Sequence, residues 1–140
     1  MRSVVLDTNV VIAALRSRRG ASFAILRRLG RDWTPLISAP LILEYEAVAK
    51  RKGQRLKIPE SRVEAIVRAF CFFGEETDIH FRLRPFLPDP GDEFLLELAV
   101  AGRAEAIVTH NVRHFVGVET FGIRVLTPCE FLRIIERERT

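Results

Sequence analysis

The apolar run Val4-Val5-Leu6 has no polar residue interleaved and stops at Asp7. A strand with one face in water alternates apolar and polar side chains. A continuous run belongs instead to a strand buried on both faces, as in a parallel sheet covered by helices. Asp7 then marks the strand's carboxyl end, where a charge leaves a buried sheet. Two more carboxylates stand among apolar neighbours: Glu44 in Leu41-Ile42-Leu43-Glu44-Tyr45, and Asp92 in Pro90-Gly91-Asp92-Glu93-Phe94-Leu95-Leu96. Such groups are costly to bury unless paired or metal-bound, so a fold that gathers them makes a site for a hard divalent cation.

The pattern predicts alternating elements. After the strand Ser3 to Leu6, helices are expected over Thr8 to Arg16 and Phe23 to Leu29, separated by Arg18-Arg19-Gly20. Leu36-Ile37 reads as a brief strand after Pro35, and Ser38 as the N-cap of a helix from about Ala39 to Lys52 that ends before Gly53. In that helix Leu41, Glu44 and Val48 share one stripe, so Glu44 faces inward. A helix opening at Pro59-Glu60-Ser61 buries Val63, Ile66, Val67 and Phe70, and a strand near Thr77 to Phe81 follows. The turn Leu87-Pro88-Asp89-Pro90-Gly91 leads into a helix from about Asp92 to Ala101, closed by Gly102, with Asp92, Leu95 and Ala99 on one stripe. Strands over Ala106 to Thr109 and Ile123 to Leu126 and a helix from Pro128 to Arg137 complete a doubly wound, mostly parallel sheet.

A chain of 140 residues, 48% hydrophobic and 29% charged and without repeats, fits one domain over 1–140. Disorder is expected only over Glu136 to Thr140. Cys71 and Cys129 have neither a CxxC pattern nor zinc-like histidine spacing, which fits reduced thiols. The short apolar run after Met1-Arg2-Ser3 fits neither a signal segment nor a membrane span, so a cytoplasmic protein with no membrane contact is expected.

Charge is unevenly divided. Residues 1–68 hold 14 Lys and Arg against 6 Asp and Glu; residues 69–140 hold 8 against 12. The basic excess clusters at Arg16, Arg18 and Arg19, at Arg27, Arg28 and Arg31, and from Lys50, Arg51 and Lys52 on to Arg55 and Lys57. Beside a carboxylate site, this distribution suits a nucleic-acid backbone; a solvated face or an acidic protein partner is the plainer alternative.

In a sheet of this kind ligands gather outside the strands' carboxyl ends, where Asp7 sits and where the turn before Asp92 can return. Two or three carboxylates with positions left for water suit Mg²⁺ or Mn²⁺, and such a site can activate water against a phosphodiester. Each acid also has an ordinary role: Asp7 as an N-cap, Glu44 as a partner of Arg51, Asp92 and Glu93 as complements to a helix dipole, Asp89 as a turn residue. His80, His110 and His114 share no ligand spacing on one helix, so surface or core positions are expected for them.

Four segments in order, Val4-Val5-Leu6-Asp7-Thr8-Asn9-Val10, Ser38 to Arg51 with Glu44, Asp89-Pro90-Gly91-Asp92-Glu93-Phe94-Leu95, and Ile107-Val108-Thr109-His110-Asn111, resemble the motifs of PIN-domain proteins. The likeness spans nearly the whole chain and is to the small stand-alone proteins that form the toxin half of prokaryotic toxin-antitoxin pairs, similar to metal-dependent ribonucleases of the virulence-associated class. The resemblance implies a three-layer α/β/α fold, Rossmann-like in its winding, with Mg²⁺ or Mn²⁺ at an acidic cluster. It also implies endonucleolytic cleavage of RNA, homodimerisation and a cognate antitoxin docked between about Arg16 and Arg68. By this likeness Asp7, Glu44 and Asp92 match the metal-binding acids, Asp89 an accessory carboxylate, and Thr8 and Thr109 hydroxyls near the site. Where many relatives carry a fourth acid this chain has Asn111, with His114 following; an amide can coordinate metal or orient water but brings no charge.

The leading expectation is a ribonuclease toxin in which Asp7, Glu44 and Asp92 hold metal, Asn111 orients water or a second ion, and Arg16, Arg18, Arg19, Lys50, Arg51 and Lys52 grip RNA. The alternative is a catalytically weak or inactive module that binds RNA or antitoxin. A phosphatase using Asp7 as nucleophile is disfavoured, because Asp7-Thr8-Asn9 lacks the second acid usual two residues on. No glycine-rich phosphate loop supports a nucleotide-binding reading.

Overall fold

The computed structural model describes residues 2–139, so Met1 and Thr140 lie outside it. Five strands form one parallel sheet in the order β3-β2-β1-β4-β5: β1 Arg2–Leu6, β2 Trp33–Ile37, β3 Glu75–Glu76, β4 Ala106–Val108 and β5 Arg124–Leu126. Val4, Val5 and Leu6 are fully buried, as a continuous apolar run in a central strand requires.

Six helices cover the sheet: α1 Thr8–Arg16, α2 Ala21–Arg27, α3 Ala39–Leu56, α4 Glu60–Phe73, α5 Glu93–Ala101 and α6 Pro128–Arg139. The steps from β1 to β2 and from β2 to β3 run in the same direction, so right-handed crossovers put α1 to α4 on one face. The chain then steps back across β2 and β1 to β4, which carries α5 to the opposite face, against β1, β2 and β4. α6 returns to pack on α2. The result is a three-layer α/β/α sandwich. Trp33, fully buried, ties β2 to α2 and α6: its indole N–H donates to the Ile25 carbonyl at 2.9 Å, and its ring meets Phe131 edge-on at 5.8 Å.

Several boundaries depart from the sequence expectation for identifiable reasons. β2 begins at Trp33 and includes Pro35, which pairs in register with Val4. Pro35 lies ahead of the pairing with β3, which starts at Leu36, so the outer edge there is open and tolerates the proline. The strand expected over Thr77 to Phe81 is instead Glu75–Glu76. β2 turns into the capped start of α3 at Ser38, so after the Thr77 N–H bonds to the Ile37 carbonyl at 3.0 Å no partner strand remains.

α3 does not end before Gly53 but runs to Leu56 and stops at Lys57, which takes the left-handed conformation at φ 57°. Gly53 is buried, and the chain folds back over it through a 2.9 Å bond from the Ile58 N–H to its carbonyl. The buried line on α3 is Leu41, Tyr45, Ala49 and Gly53; Glu44 and Val48 flank it, half-buried. Of the segment expected to be disordered, Glu136 to Arg139 continue α6 and Thr140 lies outside the described residues; Arg2 pairs with Glu105 and Glu138, holding the last turn to the start of β1. Cys71 and Cys129 are exposed free thiols. Among the described residues, no helix is long and apolar enough to cross a membrane.

Candidate metal centre

From β1 the chain moves to β2 on one side, while β4 lies on the other. The order of winding therefore reverses between β1 and β4, and such a reversal opens a crevice at the carboxyl ends of the strands. Asp7 and Thr109 are the first residues beyond those two strands. The Asp7 N–H extends the ladder to the Val108 carbonyl, and the Thr109 N–H reaches Leu126, each at 2.9 Å.

Asp7 is the N-cap residue of α1 by position, yet its side chain closes no capping bond. The carboxylate, 8% exposed, is held sideways: Thr109 Oγ1 donates to its Oδ2 at 2.8 Å and Asn9 Nδ2 lies 3.4 Å from the same oxygen. Thr109 Oγ1 also accepts the Asn111 N–H at 3.0 Å, while Asn9 Oδ1 accepts the His110 N–H at 3.3 Å. The ends of β1 and β4 are thus laced into one polar network.

α3 is aligned with this network by two adjacent residues. Tyr45, buried, donates its hydroxyl to the Leu6 carbonyl, and Glu44 accepts from the Thr8 hydroxyl. Burial first, and then the charges of Asp7 and Glu44, push the Tyr45 hydroxyl well above its ordinary pKa.

The third contribution comes from the start of α5. Asp89 accepts the Gly91 N–H at 2.9 Å and so shapes the short 3-10 turn Pro90–Asp92 that presents Asp92. His114 Nδ1 lies 3.2 Å from Asp92 Oδ2, and one ligand atom each from Asp89, Asp92 and His114 lie within 4.8 Å of one another. Asp7, Glu44 and Asp92 form no cluster that tight among the described residues. Asp7 and Glu44 are thus held through Thr109 and Thr8, while Asp92 stands with Asp89 in a tight corner that includes a histidine that ligand spacing had set aside.

Burial raises the Asp7 carboxyl above the usual range, against the pull of the Thr109 hydroxyl, nearby backbone N–H groups and His114. Burial also raises Asp92, with repulsion from Asp7 and then Asp89 added and His114 opposing. Two half-buried or buried acids that repel each other have only the His114 imidazole to oppose them, and the donors are mostly carboxylate oxygens. The residues present therefore fit a hard divalent cation.

The family model of the PIN domain matches residues 3–113. This chain belongs to the PIN-domain family. No curated protein sequence matches it. Among solved structures, the PIN domain is similar to the crystal structure of VapBC2 from Rickettsia felis bound to a DNA fragment from their promoter. The TM-score is 0.61 at 15% identity, covering 89% of this chain and 98% of that one, a likeness of fold.

Asn111 is exposed at the start of the 3-10 turn Val112–Phe115, its backbone tied to Thr109. Of the basic residues, Arg16, Arg18 and Arg19 are exposed at the end of α1 and in the following turn. Arg51 and Lys52 are exposed on α3, while Lys50 is half-buried and lies 3.7 Å from Glu46. Six to eight residues beyond Glu44, these three stand about 9 to 12 Å further along the helix axis.

Sequence reasoning missed five contributors in this PIN domain. Asn9 and Tyr45 act through partners far away in the chain, and His114 comes from a turn. Glu93, in the first turn of α5, does more than complement the helix dipole: it is 2% exposed, and its Oε1 accepts the N–H groups of Phe86 and Leu87 at 2.8 Å each. Glu97, also buried, accepts the Leu83 N–H at 2.8 Å and pairs with Arg84 at 3.1 Å. Together they strap residues 83–87 to α5, just ahead of Asp89. Their i, i+4 spacing within an apolar helix was the available signal.

Proposed function

We propose that this PIN domain is a cytoplasmic metal-dependent endoribonuclease, the toxin of a toxin-antitoxin pair, which hydrolyses RNA phosphodiester bonds with Mg²⁺ or Mn²⁺. What supports this reading is that Asp7 and Asp92, from the end of β1 and the start of α5, repel each other with only His114 opposing, while Thr8, next to Asp7, holds Glu44. A divalent ion bound there supplies charge against the negative charge developing on the phosphodiester and makes water a better nucleophile at neutral pH.

The chain's own part is placement. Thr109 and Asn9 fix the orientation of Asp7, Thr8 fixes Glu44, and Asp89 shapes the turn that presents Asp92. In this reading Asp7, Glu44 and Asp92 hold the metal, and the exposed Asn111 amide orients water. Arg16, Arg18, Arg19, Lys50, Arg51 and Lys52 hold the RNA backbone through charge. The similarity to VapBC2 supports an antitoxin partner, and a homodimer belongs to the same proposal.

The test is to incubate wild type and Asp7→Asn with a panel of structured and single-stranded RNAs in Mg²⁺, Mn²⁺ or EDTA. Discrete cleavage that needs metal and vanishes in the folded variant is the expected result. Retained cleavage by folded Asp7→Asn refutes the assignment. A second reading, an RNA- or antitoxin-binding module without turnover, is favoured by the uncharged Asn111; intact RNA in every lane together with RNA or antitoxin binding would support it.

A further inference from the structure

By the resemblance Asn111 stands where many relatives carry a fourth acid, and its amide brings no charge. Three residues on, the 3-10 turn Val112–Phe115 brings a different donor. Phe115 is fully buried and anchors the turn, and the His114 N–H closes on the Asn111 carbonyl at 2.9 Å. The turn, itself tied to Thr109 by the Asn111 N–H, thereby sets the imidazole against Asp92. Two neighbouring ligands on an octahedral ion with bonds of about 2.1 Å stand about 3 Å apart. His114 Nδ1 and Asp92 Oδ2 are separated by 3.2 Å, and one ligand atom each from Asp89, Asp92 and His114 lie within 4.8 Å of one another.

We infer that His114 is a ligand of the metal centre, supplying a nitrogen donor at the corner where an acid is missing and turning the site's preference from Mg²⁺ toward a first-row transition ion such as Mn²⁺. Mg²⁺ is held by oxygen and gains little from imidazole, whereas transition ions gain a bond from it. Asp89 becomes part of the same corner, through the carboxylate whose Oδ1 already accepts the Gly91 N–H. The inference rests on the proposed metal-dependent reading and names which ion the centre selects.

The experiment uses the metal-free full chain loaded with Mn²⁺ and examined by pulsed electron paramagnetic resonance, with Mn²⁺ and Mg²⁺ affinities measured by calorimetry. Wild type, His114→Ala and His114→Asp are compared after circular dichroism shows each to be folded. Wild type is expected to show imidazole-nitrogen coupling to Mn²⁺ that disappears in His114→Ala. The Mn²⁺ dissociation constant should rise about tenfold or more, the scale on which even supporting groups affect metal sites. Mg²⁺ affinity should change much less, and His114→Asp should bind Mg²⁺ more tightly than wild type does.

Bound Mn²⁺ without nitrogen coupling, or equal Mn²⁺ affinity in His114→Ala, overturns the inference and leaves His114 as a hydrogen-bond partner of Asp92. Metal-dependent RNA cleavage alongside that result leaves the ribonuclease reading standing. Absence of both metal binding and cleavage removes the two together.

Discussion

Thr109→Val isolates the group on which the alignment of Asp7 depends. The substitution keeps side-chain volume at a fully buried position and deletes one hydroxyl. That hydroxyl donates to the Asp7 carboxylate at 2.8 Å and accepts the Asn111 N–H at 3.0 Å. A hydrogen bond to a charged group contributes about 1.5 to 3 kcal/mol, and the backbone donor left behind costs about 1 kcal/mol more. The expected loss of roughly 2.5 to 4 kcal/mol lies within the stability of about 5 to 15 kcal/mol usual for a domain, so the variant folds. With roughly 3 °C lost per kcal/mol at this size, its melting temperature falls by about 8 to 12 °C. The decisive assay is a double-mutant cycle with Asp7→Ala in urea unfolding. The part that belongs to the Thr109–Asp7 bond should appear as a coupling of about 1.5 to 3 kcal/mol, while the Asn111 part remains additive. A coupling below about 0.5 kcal/mol would refute the reasoning that this hydroxyl holds Asp7 in place.

Asp7 and Asp92 both have folded pKa values above their unfolded ones, so their contributions to stability are full below the unfolded values and are lost as pH rises through the folded ones. Metal-free Asp7→Asn should therefore melt above wild type at neutral pH, and the gap should close in acid; a variant that melts lower at neutral pH contradicts the electrostatic account. Mn²⁺ should raise the melting temperature of wild type more than that of Asp7→Asn, and equal shifts would place the ion elsewhere. Tyr45→Phe strands the Leu6 carbonyl and should cost about 1 to 3 kcal/mol in urea unfolding, with no loss if the hydroxyl is not the pin between α3 and β1. Glu93→Ala should speed hydrogen exchange at the Phe86 and Leu87 amides; unchanged protection would mean that the segment is held by other contacts.

Much of the architecture was legible because it depends on local pattern. The unbroken Val4-Val5-Leu6 run announced a central parallel strand, and the polar residue ending it lies where the winding reverses. Asp7, Glu44 and Asp92 could be singled out because each breaks an apolar neighbourhood. Their surroundings could not be, because these are set by chain segments far apart: Tyr45 reaches Leu6, Thr109 reaches Asp7, and His114 reaches Asp92. On α3 the apolar line was read one residue away from its true course. Leu41, Glu44, Val48 and Leu41, Tyr45, Ala49 are both valid helical stripes, and only the Tyr45–Leu6 bond distinguishes them. Gly53 was read as a stop because glycine often follows a helix, whereas here the returning chain at Ile58 needs a small residue inside one.

The two margins of the sheet limit how this molecule can join others. One margin is the two-residue strand Glu75–Glu76, exposed and doubly acidic; the other is the three-residue strand that opens with exposed Arg124. An incoming extended segment would find too few free backbone groups on either side to dock, and on one of them would meet two negative charges. Assembly by continuing the sheet from one molecule into the next is thereby discouraged, along with the fibrous association that long open margins invite. Contacts with other chains are left to the helical faces and the loops, and the crevice stays clear of any assembly built strand upon strand.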